Sequence, residues 1–222
     1  MNKLKALKKG VECIFNFFLD TLTPENIRIK RILNLDESDL KKLLPRSRTH
    51  EKDIVVLFDY QNQIVKLLVK SIKYKNNNIV RAKISKYLYD EILEICSEAY
   101  LFDGKLPILV PIPMGKKEKR QRGFNQCEEI VIEINKLNNK NFIVELNNLI
   151  KTRETERQTK LKRSDRLKNV YKSMGVSKKE IFKNRTVIVL DDVFTTLSTF
   201  NEAKRVLNES GAKKVVGLFV AH

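Results

Sequence analysis

The chain has 222 residues, of which 42% are apolar and 32% are charged, and it contains 7 Gly and 5 Pro. These values are typical of one globular domain with an extension, and they exclude a collagen-like or disordered polar chain. The 44 Lys and Arg against 27 Asp and Glu give a net charge of +17, which favours polyanionic partners: nucleic acid, phosphorylated small molecules or an anionic membrane surface; a Lys- and Asn-rich bias of the whole proteome is the alternative explanation.

Membrane-spanning, secreted and zinc-binding classes find no support in the sequence. Apolar stretches such as Val11–Leu22 are interrupted by polar residues and fall short of the roughly 20 residues that a membrane helix needs. The basic start is not followed by a sustained apolar segment, so we expect no secretory signal and a cytoplasmic protein. Cys13, Cys96 and Cys127 lie far apart without CxxC spacing, which predicts buried thiols and neither a zinc site nor a disulfide framework.

The first half of the chain predicts helices followed by a strand. Apolar residues recur every three or four positions over residues 3–22, as in an amphipathic helix, and short helices are predicted to follow. We therefore predict a helical N-terminal region over residues 1–50 and a separate domain over residues 51–222. The β-branched run Ile54–Phe58 predicts a strand. Helical spacing then predicts one helix before a turn at Asn76–Asn78 and a second helix from Ile79 to Ile95.

The middle of the chain combines a proline-limited strand with a dense basic cluster. A strand beginning at Pro107 has to end by Pro111, because proline cannot donate to a sheet ladder. We predict a loop after it, then a helix and a short strand over Phe142–Leu146. Residues 112–170 carry 15 basic against 8 acidic side chains. The basic cluster, opposed only by Glu118, consists of Lys116, Lys117, Lys119, Arg120 and Arg122.

The last third predicts a strand, helix and strand in succession. Thr186–Leu190 is a buried strand, Asp191–Thr199 a loop, Phe200–Ser210 a helix and Val215–Val220 the next strand. Such a unit implies a parallel sheet with ligand chemistry at the carboxyl ends of its strands.

The predicted loop Asp191–Thr199 delivers two carboxylates and then four hydroxyls before a helix begins. Hydroxyls and amides at a helix N-terminus suit one phosphate. Adjacent carboxylates suit the vicinal hydroxyls of a sugar, or a divalent cation shared with the ligand. The pattern therefore predicts a pentose phosphate site. The alternative is a strand-end turn in which Ser198 or Thr199 only caps the helix.

This stretch resembles the phosphoribosyl-pyrophosphate (PRPP) loop of type I phosphoribosyltransferases. Further segments narrow the resemblance to the competence protein ComF family: Val110–Pro113 leading into Arg122–Gln126, the polar run from Arg153 to Asn169, and the pair Lys73-Tyr74. The resemblance runs from about Asp53 to Ala221. It implies an α/β fold with a type I phosphoribosyltransferase-like parallel sheet flanked by helices, and a role in natural transformation, where incoming single-stranded DNA is handled at the inner membrane.

The resemblance also implies roles for individual residues. Asp191 and Asp192 would be the catalytic pair and face the ribose diol. The 5′-phosphate would be held by Thr195, Thr196, Leu197, Ser198 and Thr199. Nucleic acid or pyrophosphate would be bound by Lys116, Lys117, Lys119, Arg120, Arg122, Arg153, Arg163 and Arg166. Phe124 and Tyr171 are candidates for stacking on bases, with a core role as the favoured alternative for Phe124.

The implied ligand is PRPP or another sugar phosphate. If the chain is an enzyme, Mg²⁺ would bridge the pyrophosphate, and no zinc is expected. The implied partners are single-stranded DNA and an inner-membrane DNA channel or helicase of the uptake machinery. The cytoplasm is then the expected location, with peripheral attachment to the inner membrane as a variant of it.

Two positions depart from the family pattern. Cys13 is the only cysteine among residues 1–50. The four-cysteine zinc finger usually found at the N-terminus of the family is therefore replaced by predicted helices. Leu197 stands where the PRPP loop normally has Gly, and a required left-handed conformation there would cost about 1–2 kcal/mol. Leu197 favours ligand binding over turnover. The alternative function is a phosphoribosyltransferase acting on an unidentified acceptor, and a third is an adaptor whose N-terminal helix docks on a partner.

Overall fold

The computed structural model describes residues 25–35, 40, 42–44, 47, 52–155, 170–194 and 197–222. The chain divides into two units, residues 1–43 and residues 44–222. In the first unit, helix α1 spans Glu25–Leu33, which agrees with the short helices predicted to follow residue 22. The predicted helix over residues 3–22 lies outside the described residues.

Parallel strands form the centre of the second unit. The sheet has five strands in the order β1-β7-β6-β2-β3, and every neighbouring pair is parallel. Its strands are β1 (Ile54–Phe58), β2 (Ile108–Pro111), β3 (Ile143–Val144), β6 (Thr186–Val193) and β7 (Lys214–Ala221). A separate antiparallel pair consists of β4 (Leu149–Lys151) and β5 (Met174–Val176).

Helices cover both faces of the sheet. The helices are α2 (Gln63–Lys75), α3 (Asn78–Asp103), α4 (Lys116–Arg122), α5 (Gln126–Leu137) and α6 (Ser198–Glu209), with a 3₁₀ turn over Lys179–Phe182. Helix α3 packs on α2 and α5, and these three cover one face, while α6 packs on β5, β6 and β7. The predicted parallel sheet flanked by helices is confirmed.

Alternating strand residues feed the two apolar layers, because successive side chains of a strand point to opposite faces. Val187 and Val189 of β6 lie in one buried cluster with Phe200 and Leu207 of α6. Ile188 and Leu190 are fully buried as well and by alternation face the helices α2, α3 and α5. Both faces of β6 are therefore covered by apolar side chains, and the strand lies in the middle of the sheet.

Several predicted boundaries shift in the structure. The predicted loop with the basic cluster is wrong, because Lys116–Arg122 forms the short helix α4. Its residues are good helix formers, and Gly123 ends it with φ +87°. The predicted loop start at Asp191 is also wrong, since β6 continues to Val193 by pairing with β7.

Two further elements differ in length from prediction. Helix α3 continues beyond Ile95 to Asp103, where Gly104 ends it with φ +60°. The strand predicted over Phe142–Leu146 is confined to Ile143–Val144, the only part that pairs with β2.

Candidate functional site

A pocket opens at the carboxyl edge of the sheet, between β2 and β6. The chain leaves β2 towards β3 on one side and leaves β6 towards β7 on the other, so the two crossovers diverge at this point. Ligands of open parallel sheets bind in the crevice that such a divergence leaves. The cavity measures about 620 Å³, within the usual range for a small-molecule site.

The walls of the pocket come from segments far apart in the sequence. They are contributed by the end of α2, the turn after β2, helix α4, the start of α5, the end of β6 and the start of α6. The lining residues on which the argument depends are Lys73, Tyr74, Arg122, Gln126, Cys127, Lys151, Asp191, Asp192, Leu197, Ser198 and Thr199. The predicted catalytic pair and the described part of the predicted phosphate loop therefore face one cavity.

Asp192 is held on both oxygens by groups of the protein. Its Oδ2 atom accepts a hydrogen bond from Gln126 Nε2 at 3.0 Å and lies 3.0 Å from Lys73 Nζ. Its Oδ1 atom accepts from the backbone N–H of Val193 at 2.8 Å. Asp192 is 8% exposed, so this carboxyl group is held in one position on the floor of the pocket.

Asp191 is the more responsive carboxylate of the pair. Its Oδ1 atom accepts from the backbone N–H of Asp192 at 2.8 Å and contacts Cys127 Sγ at 3.8 Å. Burial, with the adjacent charge of Asp192, raises the pKa of Asp191 to about 7, although Lys73 opposes the rise. The side chain therefore changes between hydrogen-bond donor and pure acceptor near neutral pH.

Lys73 is the cation that compensates this pair. Burial disfavours its ammonium, but the charge and the hydrogen bond of Asp192 outweigh that and raise the pKa of Lys73. The sequence analysis noted Lys73 only as half of the family pair Lys73-Tyr74 and assigned it no site role. No local pattern could pair it with Asp192, because the contact exists only once α2 packs beside β6.

Cys127 and Lys151 were also missed as lining residues. Cys127 is buried, and burial followed by the charges of Asp191 and Asp192 raises the pKa of its thiol well above the usual range. Burial lowers the pKa of Lys151, against the opposing charges of Glu118, Glu154 and Asp191. Lys151 gives the pocket a further cation besides Lys73 and Arg122.

The described part of the predicted phosphate loop contains an unusual backbone conformation. Leu197 precedes helix α6 with φ +57° and ψ −1°, the left-handed region that β-carbon atoms disfavour. Leu197 thus adopts a conformation that Gly takes without steric cost. Ser198 is buried and Thr199 half-buried at the start of α6. Thr195 and Thr196 lie outside the described residues.

The predicted basic cluster is present but is partly neutralised. Lys116, Lys117, Lys119 and Arg120 are exposed on α4. Lys119 Nζ lies 2.6 Å from Glu128, which reduces its charge toward a ligand. Only some of the five predicted cations are therefore available to a polyanion.

Arg122 differs from the other cations of α4 because it lines the pocket. Its Nη2 atom donates to Glu118 Oε1 at 2.7 Å, and its Nη1 atom donates to Gln126 Oε1. Its guanidinium carbon lies 5.7 Å from the centre of the Tyr74 ring. Gln126 thus connects Arg122 with Asp192.

Of the other predicted residues, Arg153, Tyr171 and Phe124 do not line the described pocket. Arg153 Nη2 donates to the carbonyl of Tyr171 at 2.9 Å, while Arg163 and Arg166 lie outside the described residues. The Tyr171 ring is flanked by Lys172 at 5.5 Å and Arg205 at 5.6 Å. Phe124 is half-buried and is not among the lining residues.

Within the described residues no group of three or more His, Cys, Asp and Glu side chains is arranged to hold a metal ion. Asp192 is already paired with Lys73. Among the described helices, none is long and apolar enough to cross a membrane.

Sequence comparison finds curated relatives over most of the chain. Competence protein F of Haemophilus influenzae is 29% identical over 168 residues, which are 73% of this chain and 70% of that protein. Competence protein ComFC of Bacillus subtilis is 26% identical over 66% of this chain and 60% of its own length. ComFC of Streptococcus pneumoniae is 28% identical over 72% and 63% respectively. The chain thus spans less than two thirds of both ComFC proteins.

Solved structures with similarity to the chain include a phosphoribosylpyrophosphate synthetase and a hypoxanthine phosphoribosyltransferase. Phosphoribosylpyrophosphate synthetase of Mycobacterium smegmatis aligns with a TM-score of 0.33 and 17% identity, over 59% of this chain and 33% of that one. A hypoxanthine phosphoribosyltransferase of Staphylococcus aureus aligns with a TM-score of 0.35 and 10% identity, over 62% of each chain. No family model matches the sequence. Over 66% to 73% of its length, the chain is similar in sequence to the competence proteins F and ComFC.

Proposed function

We propose that this chain acts in DNA uptake, binding a phosphorylated ribose such as PRPP in the pocket and incoming single-stranded DNA on helix α4. The names of its curated relatives support the role in DNA uptake, because all three are competence proteins. A place of action on the cytoplasmic side of the inner membrane, beside a DNA channel or helicase, belongs to the same proposal.

The observation that carries the ribose phosphate proposal is the position of Asp191 and Asp192 in the cavity that also contains Ser198 and Thr199 at the start of α6. Carboxylates accept hydrogen bonds from sugar hydroxyls, and the amides at the start of a helix favour a phosphate. A single ligand that uses both the carboxylates and the helix amides must carry hydroxyls and a phosphate on one small molecule. A pentose phosphate meets that condition.

Single-stranded DNA is supported by the exposed cations of α4. Lys116, Lys117 and Arg120 project from a helix that borders the pocket. Carboxylates contact other groups of this helix: Glu118 pairs with Arg122, and Glu128 pairs with Lys119. Glu154 accepts a hydrogen bond from the backbone N–H of Lys117. Phosphates would supply most of the binding energy, without strong sequence preference.

Binding without turnover is favoured by Leu197. A transition state demands tighter geometry than a bound ground state, and Leu197 brings a side chain into the position where the phosphate loop normally has none. Transfer of phosphoribosyl to an acceptor remains the alternative function, and release of pyrophosphate from PRPP in the presence of an acceptor base would establish it.

The pocket is tested by calorimetry with PRPP and ribose 5-phosphate, each with and without Mg²⁺. We expect both to bind, and we expect Asp191→Asn to weaken binding at least about 10-fold, because a hydrogen bond to a charged group is lost. Asp90→Asn, an exposed carboxylate on α3, is the matched control. Absence of binding to the unaltered chain, or equal binding by both variants, would refute the ribose phosphate site.

DNA binding is tested by fluorescence anisotropy with a labelled oligonucleotide over a range of salt concentrations. Replacement of Lys117 and Arg120 by Gln should weaken binding and reduce the slope of log affinity against log salt by about 1.4, since each contact with single strands contributes about 0.7. The control replaces Lys178 and Lys179, which are exposed near the 3₁₀ turn before β6. Affinity that does not change with salt would refute the proposal.

A further inference from the structure

An exposed tyrosine outside the pocket has cations beside its ring. Tyr171 is 55% exposed and is not among the residues that line the pocket. The centre of its ring lies 5.5 Å from Lys172 Nζ and 5.6 Å from the guanidinium carbon of Arg205. We call Tyr171, Lys172 and Arg205 the Tyr171 platform. The proposed function so far gives this platform no role.

The guanidinium of the platform is held in one orientation. Arg205 Nε and Nη2 each donate to a different oxygen of the Glu202 carboxylate, both at 2.9 Å. Its Nη1 atom donates to Glu209 Oε1 at 2.7 Å. Glu202 is 4% exposed, and two parallel bonds to one carboxylate fix the plane of a guanidinium. Arg205 is therefore a flat, fixed support beside the Tyr171 ring.

The same buried carboxylate also holds the backbone that carries the ring. Glu202 accepts hydrogen bonds from the backbone N–H of Met174 at 3.3 Å and from that of Lys172. The Tyr171 carbonyl accepts from Arg153 Nη2 at 2.9 Å. The turn and the guanidinium are thus fixed by one group, so a planar molecule that stacks on the ring has little to reorganise.

Lys172 supplies a charge that the protein does not balance locally. Its side chain is exposed, and in the described part of the chain no carboxylate pairs with its ammonium. Arg205, by contrast, is balanced by Glu202 and Glu209. The platform therefore suits a flat group that carries an anion beside it. A nucleotide of a single strand has this chemistry, because its base can stack and its phosphate is adjacent.

Two consecutive residues connect the platform with helix α4. Arg153 donates to the carbonyl of Tyr171, and Glu154 accepts from the backbone N–H of Lys117 at the start of α4 at 3.1 Å. The exposed cations of α4 are the proposed contacts for DNA phosphates. A strand bound there can therefore continue to Tyr171 across residues 153 and 154.

We infer that Tyr171, supported by Arg205, stacks on an unpaired base of the DNA strand whose phosphates lie at Lys172 and helix α4. This inference rests on the DNA-binding part of the proposed function and adds a base contact outside the ribose phosphate pocket. Phosphate contacts alone do not distinguish single strands from duplex, because both present the same anions. A stacking platform makes the distinction, since paired bases are already stacked on their neighbours.

The experiment measures fluorescence anisotropy with three labelled DNAs of one length. The first is an ordinary single strand, the second the same strand with abasic residues, which keep the phosphates and lack the bases, and the third the duplex. Each is titrated with the full-length chain, with Tyr171→Leu, with Tyr171→Phe and with the control Tyr100→Leu. Tyr100 is 60% exposed on α3, so its replacement removes a comparable surface ring elsewhere.

We expect the unaltered chain to bind the ordinary strand more tightly than the abasic strand. Tyr171→Leu should weaken binding of the ordinary strand about 10-fold, the range of one stacked base. Its affinity for the abasic strand and the duplex should not change, and neither should the salt dependence, because no phosphate contact is lost. Tyr171→Phe and Tyr100→Leu should bind all three DNAs as the unaltered chain does.

The inference is overturned if Tyr171→Leu binds the ordinary strand as tightly as the unaltered chain, while the DNA-binding proposal survives. It is also overturned if this variant loses as much affinity for the abasic strand, since Tyr171 would then act without a base, or if Tyr100→Leu shows an equal loss. If the unaltered chain binds none of the three DNAs, the DNA-binding part of the proposed function falls, and this inference falls with it.

Discussion

Lys73 Nζ lies 3.0 Å from Asp192 Oδ2 and joins the end of helix α2 to the end of strand β6. The Lys73 side chain is 28% exposed and that of Asp192 is 12% exposed, so the pair is largely removed from water. Attraction between the two charges is stronger there than at a free surface, and neither charge is easily replaced by solvent. The pair therefore contributes both to the fold and to the shape of the pocket.

Replacement of Lys73 by Met should destabilise the domain by about 1–3 kcal/mol, because Asp192 would keep the hydrogen bond of Gln126 but lose its cation. Lys73 also lowers the pKa of Asp191, so the variant should shift the titration of Asp191 to higher pH. Urea denaturation gives the first quantity and an NMR pH titration of the Asp191 carboxyl gives the second. Lys70→Met, at an exposed position of the same helix, should change neither; an equal loss of stability in both variants would contradict the role of the pair.

Asp191 should make stability depend on pH between about 4 and 7. Its folded-state pKa of about 7 lies above the usual 3.8, so in this range the folded chain binds more protons than the unfolded chain. Stability from this group is complete below about pH 4 and falls as the pH rises to about 7, by at most about 1.4 kcal/mol per pH unit.

Asp191→Asn removes that titration, and a series of urea denaturations from pH 4 to 8 should show a smaller decrease with pH than in the unaltered chain. The variant should gain most relative to the unaltered chain at pH 8, where the half-buried Asp191 is charged. Parallel stability curves for the two proteins would show that Asp191 does not titrate in this range. Asp90→Asn provides the comparison with a surface carboxylate.

At position 197, replacement by Gly should leave the domain more stable than replacement by Ala. Both replacements remove the contacts that Leu197 makes with the buried cluster around Phe200, but only Gly adopts φ +57° without steric cost. Leu197→Gly should therefore be more stable than Leu197→Ala by about 1 kcal/mol. Equal stability of the two variants in urea would mean that the left-handed conformation is not maintained in solution.

Gly115 should be sensitive to a single methyl group. A β-carbon there would lie 2.5 Å from Glu154 Oε2, and Glu154 Oε1 accepts from the backbone N–H of Lys117 at 3.1 Å. Gly115→Ala should displace the carboxylate and speed hydrogen exchange at the Lys117 amide, measured by NMR. Glu154→Ala removes the acceptor directly and should give the same acceleration; protection that persists in both variants would exclude this contact.

Local sequence patterns were sufficient for the elements of the sheet. The β-branched runs at Ile54–Phe58 and Thr186–Leu190 and the prolines after Val110 each depend on neighbours in the chain, so the strands follow from sequence alone. The basic cluster was also visible, but its conformation was not: Lys116–Arg122 becomes a helix because Gly115 and Gly123 bound a run of helix-forming residues. Density of charge by itself does not distinguish a helix from a loop.

Asp191 and Asp192 were identified from sequence because two carboxylates at a strand end, followed by hydroxyls, form a local pattern. What each of them does was decided by tertiary contacts: Lys73 and Gln126 fix Asp192, while burial beside Cys127 makes Asp191 titrate near neutral pH. Tyr74 likewise acquires its place at the pocket rim only when α2 packs on the sheet. A sequence determines which groups are available, but charge pairing and burial depend on distances that only the folded chain defines.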